Sequence, residues 1–290
     1  MKDQAAKLRM QFADQGTAKV SLAGMRSLSF TSGKGGVGKS NIVVNCSVQL
    51  ARLGKKVLLM DADLGLANID IMLNLVPKFT IEDVLMGKKG INDVILEGPE
   101  GIHVLPASSG ISEMSELDSD QQLSLITELS RLKGNYDYIL IDTGAGIASS
   151  VLRFNAAADE ICVVTNTEPT AMTDAYALMK IMATKYQVKR FNLIVNQANS
   201  MAEAKGVHQK LCMVFEQFLP VDLVLTGFIP KDPNITRAVR AQTPLSVLYP
   251  QSPTAKAFHL LAKQLDQNPD RSFNPDRPNF FQRLGLWKKR

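Results

Sequence analysis

Eight consecutive residues, Gly33, Lys34, Gly35, Gly36, Val37, Gly38, Lys39 and Ser40, bring together four glycines, two lysines and a hydroxyl. That mixture suits phosphate binding. Glycines let backbone N–H groups turn toward a β-phosphate, and a helix opening at this point adds the favourable end of its dipole. Lys39 is placed to reach the β- and γ-phosphates, and the Ser40 hydroxyl to ligate Mg²⁺. Lys34 is a second cation for which an ordinary phosphate loop has no need. Three carboxylates stand at comparable places downstream. Asp61 and Asp63 lie in Met60-Asp61-Ala62-Asp63-Leu64-Gly65-Leu66-Ala67-Asn68, and Asp142 ends the apolar run Tyr138-Ile139-Leu140-Ile141. Asp142 is a candidate Mg²⁺ ligand, and Gly144 and Gly146 just beyond it allow a loop to rearrange as a γ-phosphate is gained or lost. The plainer alternative for Asp61 and Asp63 is that they only cap the next helix.

Such residues meet only if strands carry them to a common edge. Short apolar runs at 27–31, 56–61, 102–106, 136–142, 160–166, 192–196 and 223–229 read as buried strands separated by helix-length segments. This alternation predicts an α/β fold: a doubly wound, mostly parallel sheet with helices on both faces and ligands beyond the carboxyl ends of its strands. The expected division is a leader helix and flexible joint over 1–24, one α/β domain carrying the phosphate loop over 25–267, a proline-rich linker over 268–279 and a separate element over 280–290.

The chain has 290 residues, of which 45% are hydrophobic, enough for a well-buried core. Its net charge of +5 is too small to choose between membrane, nucleic acid and nucleotide. Cys46, Cys162 and Cys212 are far apart, with neither a disulfide framework nor zinc spacing, and read as buried thiols of a reducing compartment. No secretory h-region and no apolar run of about 18 residues is present, so the expected location is cytoplasmic.

At the far end Phe280, Phe281, Leu284 and Trp287 fall on one helical face, while Gln282, Arg283, Lys288, Lys289 and Arg290 take the rest. This pattern predicts an interfacial helix whose aromatic residues enter the headgroup boundary and whose cations meet anionic lipid at about 1 kcal/mol each. One such helix binds weakly, and two in a dimer bind far more tightly through effective concentration. The competing reading is a terminal helix packed on its own domain.

The three phosphate-site motifs, in order and at these separations, resemble the deviant Walker A ATPases of the MinD/ParA class over roughly residues 26–265. That resemblance implies a P-loop NTPase in which Lys34 reaches across a homodimer interface to the partner copy's phosphates. It implies that Asp63 positions the attacking water and that Asp61 supports the magnesium and loop network. Asn196 and Pro230 fall where this class lines its adenine pocket, and the Asn-Lys-x-Asp signature of guanine-specific NTPases is missing there. Cluster chemistry, known on this fold, needs cysteines at loop positions that this chain lacks. The densest basic cluster lies at the C-terminus rather than on the domain, so direct DNA binding is not expected.

Asp3-Gln4-Ala5-Ala6-Lys7-Leu8-Arg9 resembles the DQAxxLR element ahead of the ATPase domain in flagellar-number regulators of the FlhG/FleN (YlxH) type. In that family the element is a helix engaging the GTPase FlhF, a relative of the signal-recognition-particle GTPases. Asp3, Gln4, Leu8 and Arg9 are the implied contacts, with either Gln4 or Arg9 at the partner's nucleotide. The resemblance thus implies an ATP- and Mg²⁺-dependent, slowly hydrolysing homodimer on the inner face of the cell membrane, controlling flagellar number or placement. Flagellar switch proteins or a flagellar transcription activator are further implied partners. The alternatives are a division-site or cargo-positioning ATPase and a nucleotide-gated scaffold without turnover.

Overall fold

The computed structural model describes residues 25–63, 68–106, 124, 127–129, 132, 136–267 and 278–285. Its eight strands form one sheet in the order β3-β4-β2-β5-β1-β6-β7-β8. They are β1 (Arg26–Ser32), β2 (Val57–Ala62), β3 (Leu96–Glu97), β4 (His103–Leu105), β5 (Tyr138–Ala145), β6 (Glu160–Thr165), β7 (Arg190–Ala198) and β8 (Asp222–Pro230). All pairings are parallel except β3 against β4. Each of the seven apolar runs is a strand. The sequence pattern missed β3, because two residues at a sheet edge carry no periodicity.

Both faces of the sheet are covered, and the two-residue period of the strands sorts side chains between them. In β5, Tyr138 and Leu140 join one apolar cluster while Ile139 and Ile141 join another. On the first face lie α1 (Lys39–Arg52) and α10 (Pro253–Asp266), with the short α8 (Pro233–Arg240) and α9 (Leu245–Leu248) beside them. The second face carries α5 (Ser149–Ala157), α6 (Pro169–Tyr186) and α7 (Met201–Phe218), together with α3 (Ile81–Leu85) and α4 (Ile91–Val94). The single turn α2 (Ile69–Met72) follows β2. Strand β1 is central and feeds directly into the glycine-rich loop, so the loop is held from both sides by β5 and β6.

The last helix corrects the expectation of a free lipid-facing tail. Helix α11 (Phe280–Gly285) is opened by a reciprocal cap in which Asn279 Oδ1 accepts from Gln282 N at 3.0 Å and Asn279 N donates to Gln282 Oε1 at 2.9 Å. Phe280, Phe281 and Leu284 do share one face, but they are buried in the cluster formed by Ile139, Ile141, Phe154 and Ala157. Arg283 clamps the helix from the side, its Nη1 lying 2.8 Å from Asp159 Oδ1. An apolar helical face is satisfied equally by acyl chains or by a protein groove, and here the groove holds it. Trp287, Lys288, Lys289 and Arg290, the linker residues 268–277, and the leader residues Asp3, Gln4, Leu8 and Arg9 lie outside the described residues.

Cys46 and Cys162 are buried free thiols whose pKa burial pushes up. Cys212 departs from the expectation, being half-buried beside His208. Among the described residues no helix is long and apolar enough to cross a membrane, and no group of metal-ligating side chains forms a cluster site.

Candidate functional site

The carboxyl ends of β1, β2, β5, β6 and β7 converge on the glycine-rich loop. Gly38 adopts a left-handed conformation (φ 87°) as the residue capping α1, with no side-chain cap and no acidic residue in the first turn. The N-terminal N–H groups of a 14-residue helix are therefore left facing the loop with their dipole unopposed, the arrangement an anion requires. Gly33 has a different task. A Cβ at this position would lie 2.1 Å from the carbonyl carbon of Asp174, so only glycine lets the loop pack on the backbone of α6.

Lys39 and Asp142 are both buried, and Lys39 Nζ donates to Asp142 Oδ1 at 2.5 Å. Burial pushes the Asp142 carboxyl above the usual carboxylate range, against the charge and hydrogen bond of Lys39 and a hydrogen bond from Ser40, and the nearby Asp63 charge adds to the rise. The second oxygen, Oδ2, is buried with no hydrogen-bonding partner. A buried carboxylate oxygen left unpaired beside a serine hydroxyl is the donor set a hard divalent cation takes, so Ser40 and Asp142 fit Mg²⁺.

Asp61 has a role that the sequence did not suggest in full. Its Oδ1 accepts from Asp63 N at 3.0 Å, and its Oδ2 from Asn68 N at 3.0 Å and Ile69 N at 3.2 Å. It thus ties together the two ends of the 63–68 loop, which matches the loop-supporting half of its expected role. Both oxygens are engaged by backbone, which does not favour Asp61 as a metal ligand. Burial and the Asp142 charge raise its pKa to about 6, despite the three backbone bonds that lower it. A raised folded pKa contributes stability that is fully present below the unfolded value and is lost as pH rises through about 6. Ligand-free protein should therefore lose stability, on the order of 2 kcal/mol, between pH 4 and pH 7.5 through this group. In Asp61→Asn that portion of the dependence should vanish, as checked by urea melts across the range. An unchanged pH slope would rule out Asp61 as its source.

Asp63 is half-buried and faces Gly144, which lies in β5 rather than in the loop expected after Asp142: a Cβ on Gly144 would lie 3.5 Å from Asp63 Oδ1. The carboxylate therefore stands beside the carboxyl-end stretch of β5, two residues beyond Asp142. The cap reading holds in part for Asp61, whose Oδ2 accepts from Ile69 N at the start of α2.

Lys34 reaches away from its own loop. Its Nζ donates to Glu168 Oε2 at 2.9 Å and to Thr170 Oγ1 at 3.0 Å, at the start of α6. The hydrogen bond and charge of Lys34 hold the Glu168 carboxyl below its ordinary pKa. Lysine and carboxylate are both exposed, so the pair is screened and readily exchanged for another anion. Glu168 and Thr170 were missed from sequence. Their one signal is position, directly after β6, which neighbours the loop-bearing strand β1.

Asn196 lies in β7 two residues before its end and pairs with Ile229, while Pro230 is the last residue of the adjacent β8, so the two expected base-pocket residues lie close together at the carboxyl ends of these strands. Asn196 Nδ2 donates to Val37 O at 2.7 Å, and its Oδ1 accepts from Gln197 N at 2.9 Å. The carboxamide thus anchors the phosphate loop.

This sheet order, with a phosphate loop after the central strand, an extra lysine in that loop and aspartates on the flanking strands, defines a P-loop nucleotide-binding protein of the deviant Walker A class. The AAA_31 family model, described as AAA domain, matches residues 25–195. The antiactivator FleN of Pseudomonas aeruginosa is 42% identical, covering 83% of this chain and 86% of its own. The flagellum site-determining protein YlxH of Helicobacter pylori is 32% identical, covering 83% and 79%. Among solved structures, the septum site-determining protein MinD of Pyrococcus horikoshii, complexed with Mg-ADP, superposes with a TM-score of 0.67 at 29% identity, covering 84% of this chain and 96% of that one. The chain belongs to this AAA_31 family of MinD/ParA-class ATPases, in the company of the FleN and YlxH proteins.

Proposed function

We propose that this chain is an ATP-switched homodimeric ATPase that regulates flagellar number or placement, and that it joins the inner face of the cell membrane when ATP is bound. The observation that carries the switch is Lys34, held in the single copy by the exposed pair Glu168 and Thr170 rather than by its own phosphate loop. A lysine parked on weak partners at the rim is free to take a stronger one, and the phosphates of a second copy's nucleotide supply it.

Within one copy the work divides among named groups. Loop N–H groups and Lys39 bind phosphate, which requires Lys39 to exchange its Asp142 contact for the nucleotide. Asn196 and Pro230 receive adenine. Asp63 orients water for in-line attack. Ser40 and Asp142 would hold Mg²⁺, which would neutralise phosphate charge there. Turnover is slow because closure depends on a partner surface.

The flagellar assignment is supported by the likeness to FleN and YlxH, together with the leader motif Asp3–Arg9, for which FlhF is the proposed partner. These favour flagellar control over division-site selection. The word antiactivator in one relative's name suits a flagellar transcription activator as a further partner.

Membrane association takes a modified form, because Phe280, Phe281 and Leu284 are committed to the domain core in the single copy. The tail must leave that groove before it meets lipid, and ATP-driven dimerisation is the proposed trigger. Co-sedimentation with vesicles containing anionic phospholipid tests this. Protein with a non-hydrolysable ATP analogue should pellet at least about tenfold more than protein with ADP, in line with two-site avidity, and removal of 280–290 should abolish the difference. Equal pelleting of the two nucleotide forms would reject the switch. A Phe281→Asp chain should fail to pellet, and it should also melt at lower temperature because the docked tail is lost.

A further inference from the structure

Helix α5 touches the nucleotide site at one end and the tail at the other. At its start, the switch residue Gly144 lies so close that a Cβ there would be 3.3 Å from Val151 Cγ2, and Gly146 N donates to Ser32 O at 2.8 Å. At its end, Phe154, Ala157 and Ala158 share an apolar cluster with Phe280, Phe281 and Leu284. Two residues past the helix, Asp159 receives Arg283 at 2.8 Å and Ser27 Oγ at 2.6 Å. Nine helical residues span about 14 Å, the distance between the two ends.

The surface beneath α5 is unusual for a central strand. Leu28 and Phe30 of β1 point to the opposite apolar cluster, which leaves Ser27, Ser29 and Thr31 on the α5 side, all fully buried. Small polar side chains interdigitate little with a helix, so they resist its displacement less than leucine or isoleucine would, while their hydroxyls favour particular registers. Contacts at both ends set the present register: Asn155 Nδ2 donates to Thr31 Oγ1 at 3.1 Å near the phosphate loop, and near the tail Ser27 N and Oγ donate to Asp159 Oδ2 at 2.9 and 2.6 Å while Asp159 N donates to Ser27 O. Asn155 is fully buried, and its Oδ1 has no partner. A buried carbonyl left unpaired marks a register that does not satisfy every group, and a small helix shift is a direct way to pair it.

We infer that α5 carries the state of the nucleotide site to the tail groove along this polar seam, with Asn155 as the positioning residue that sets its register. The inference rests on the reading above that nucleotide state governs tail release, and it adds the route and the residues. Linkage imposes a second consequence: if ATP weakens docking by a given factor, docking weakens ATP binding by the same factor. Removal of 280–290 therefore tightens ATP binding.

The test is hydrogen exchange of residues 280–285 in the full-length chain, without nucleotide and with ADP or a non-hydrolysable ATP analogue, each with Mg²⁺. Wild type should exchange about fivefold faster or more with the analogue than with ADP. Asn155→Leu should exchange at one rate in both nucleotides. Thr31→Val, nearly the same shape without the hydroxyl, should lose the response likewise and carries the test if the Asn155 variant folds poorly, while Thr31→Ser should keep it. Fluorescence of Trp287, the chain's only tryptophan, gives an independent readout of the tail. If wild type responds and both Asn155→Leu and Thr31→Val respond as strongly, the route through α5 is wrong while nucleotide-governed release stands. If wild type itself shows no response, release fails and the route with it.

Discussion

Asp63→Ala should lower the ATP turnover number by about 10²-fold or more while nucleotide affinity stays within a few-fold of wild type, since positioned proton-handling groups contribute about 10²–10⁴. The asymmetry follows from location. Asp63 stands against Gly144, whereas Lys39 is held by Asp142, so on the proposed mechanism its loss removes the group that orients water and leaves the phosphate-binding N–H groups and Lys39 in place. Its removal also relieves a like charge near Asp142, which works against any weakening of nucleotide binding. Asp63→Asn, of equal size, should lose turnover to a similar degree, which separates charge from packing. Single-turnover hydrolysis and equilibrium binding of a fluorescent ATP analogue give the two quantities. Wild-type turnover in either variant would remove Asp63 from the mechanism.

Gly33→Ala should be the most damaging single added methyl among the described glycines. The added carbon would sit 2.1 Å from the carbonyl carbon of Asp174 and 2.5 Å from Ala175 N. Both are helix backbone, which yields far less readily than the end of a flexible side chain. Overpacking of this severity falls at the upper end of the usual range, about 3 kcal/mol. At roughly 2–4 °C per kcal/mol for a domain of this size, the melting temperature should fall by about 6–12 °C. Nucleotide binding should weaken as well, because the loop is pushed off the helix that positions it. Gly35→Ala is the control. No atom lies within 4 Å of its Cβ position, so the ligand-free stability of that variant should match wild type. Comparable melting temperatures for the two variants would show that the loop is not held by its packing on α6.

Much of this site was legible in the sequence because it depends on local order. Seven strands announced themselves as apolar runs, and a glycine-rich segment between a strand and a helix has few other uses. Residues whose roles depend on strand order were not legible. Glu168 and Thr170 meet Lys34 only because β6 lies beside β1, and Asn155 meets Thr31 only because α5 crosses that strand. Asn196 was expected at the base, yet its anchoring bond to Val37 joins residues 159 positions apart. The tail shows a different limit. The spacing of Phe280, Phe281 and Leu284 correctly defines an apolar helical face, but no periodicity states whether lipid or the cluster around Phe154 receives it.

The central claim is that ATP joins two copies through Lys34, and sedimentation velocity tests it most directly. In the Asp63→Ala background, which prevents turnover, the chain should sediment as a dimer with ATP and Mg²⁺ and as a monomer with ADP. Adding Lys34→Ala should give a monomer in both nucleotides, with ATP binding to the single copy within a few-fold of the parent. A Lys34→Ala chain that forms the ATP dimer as readily as its parent would contradict the claim.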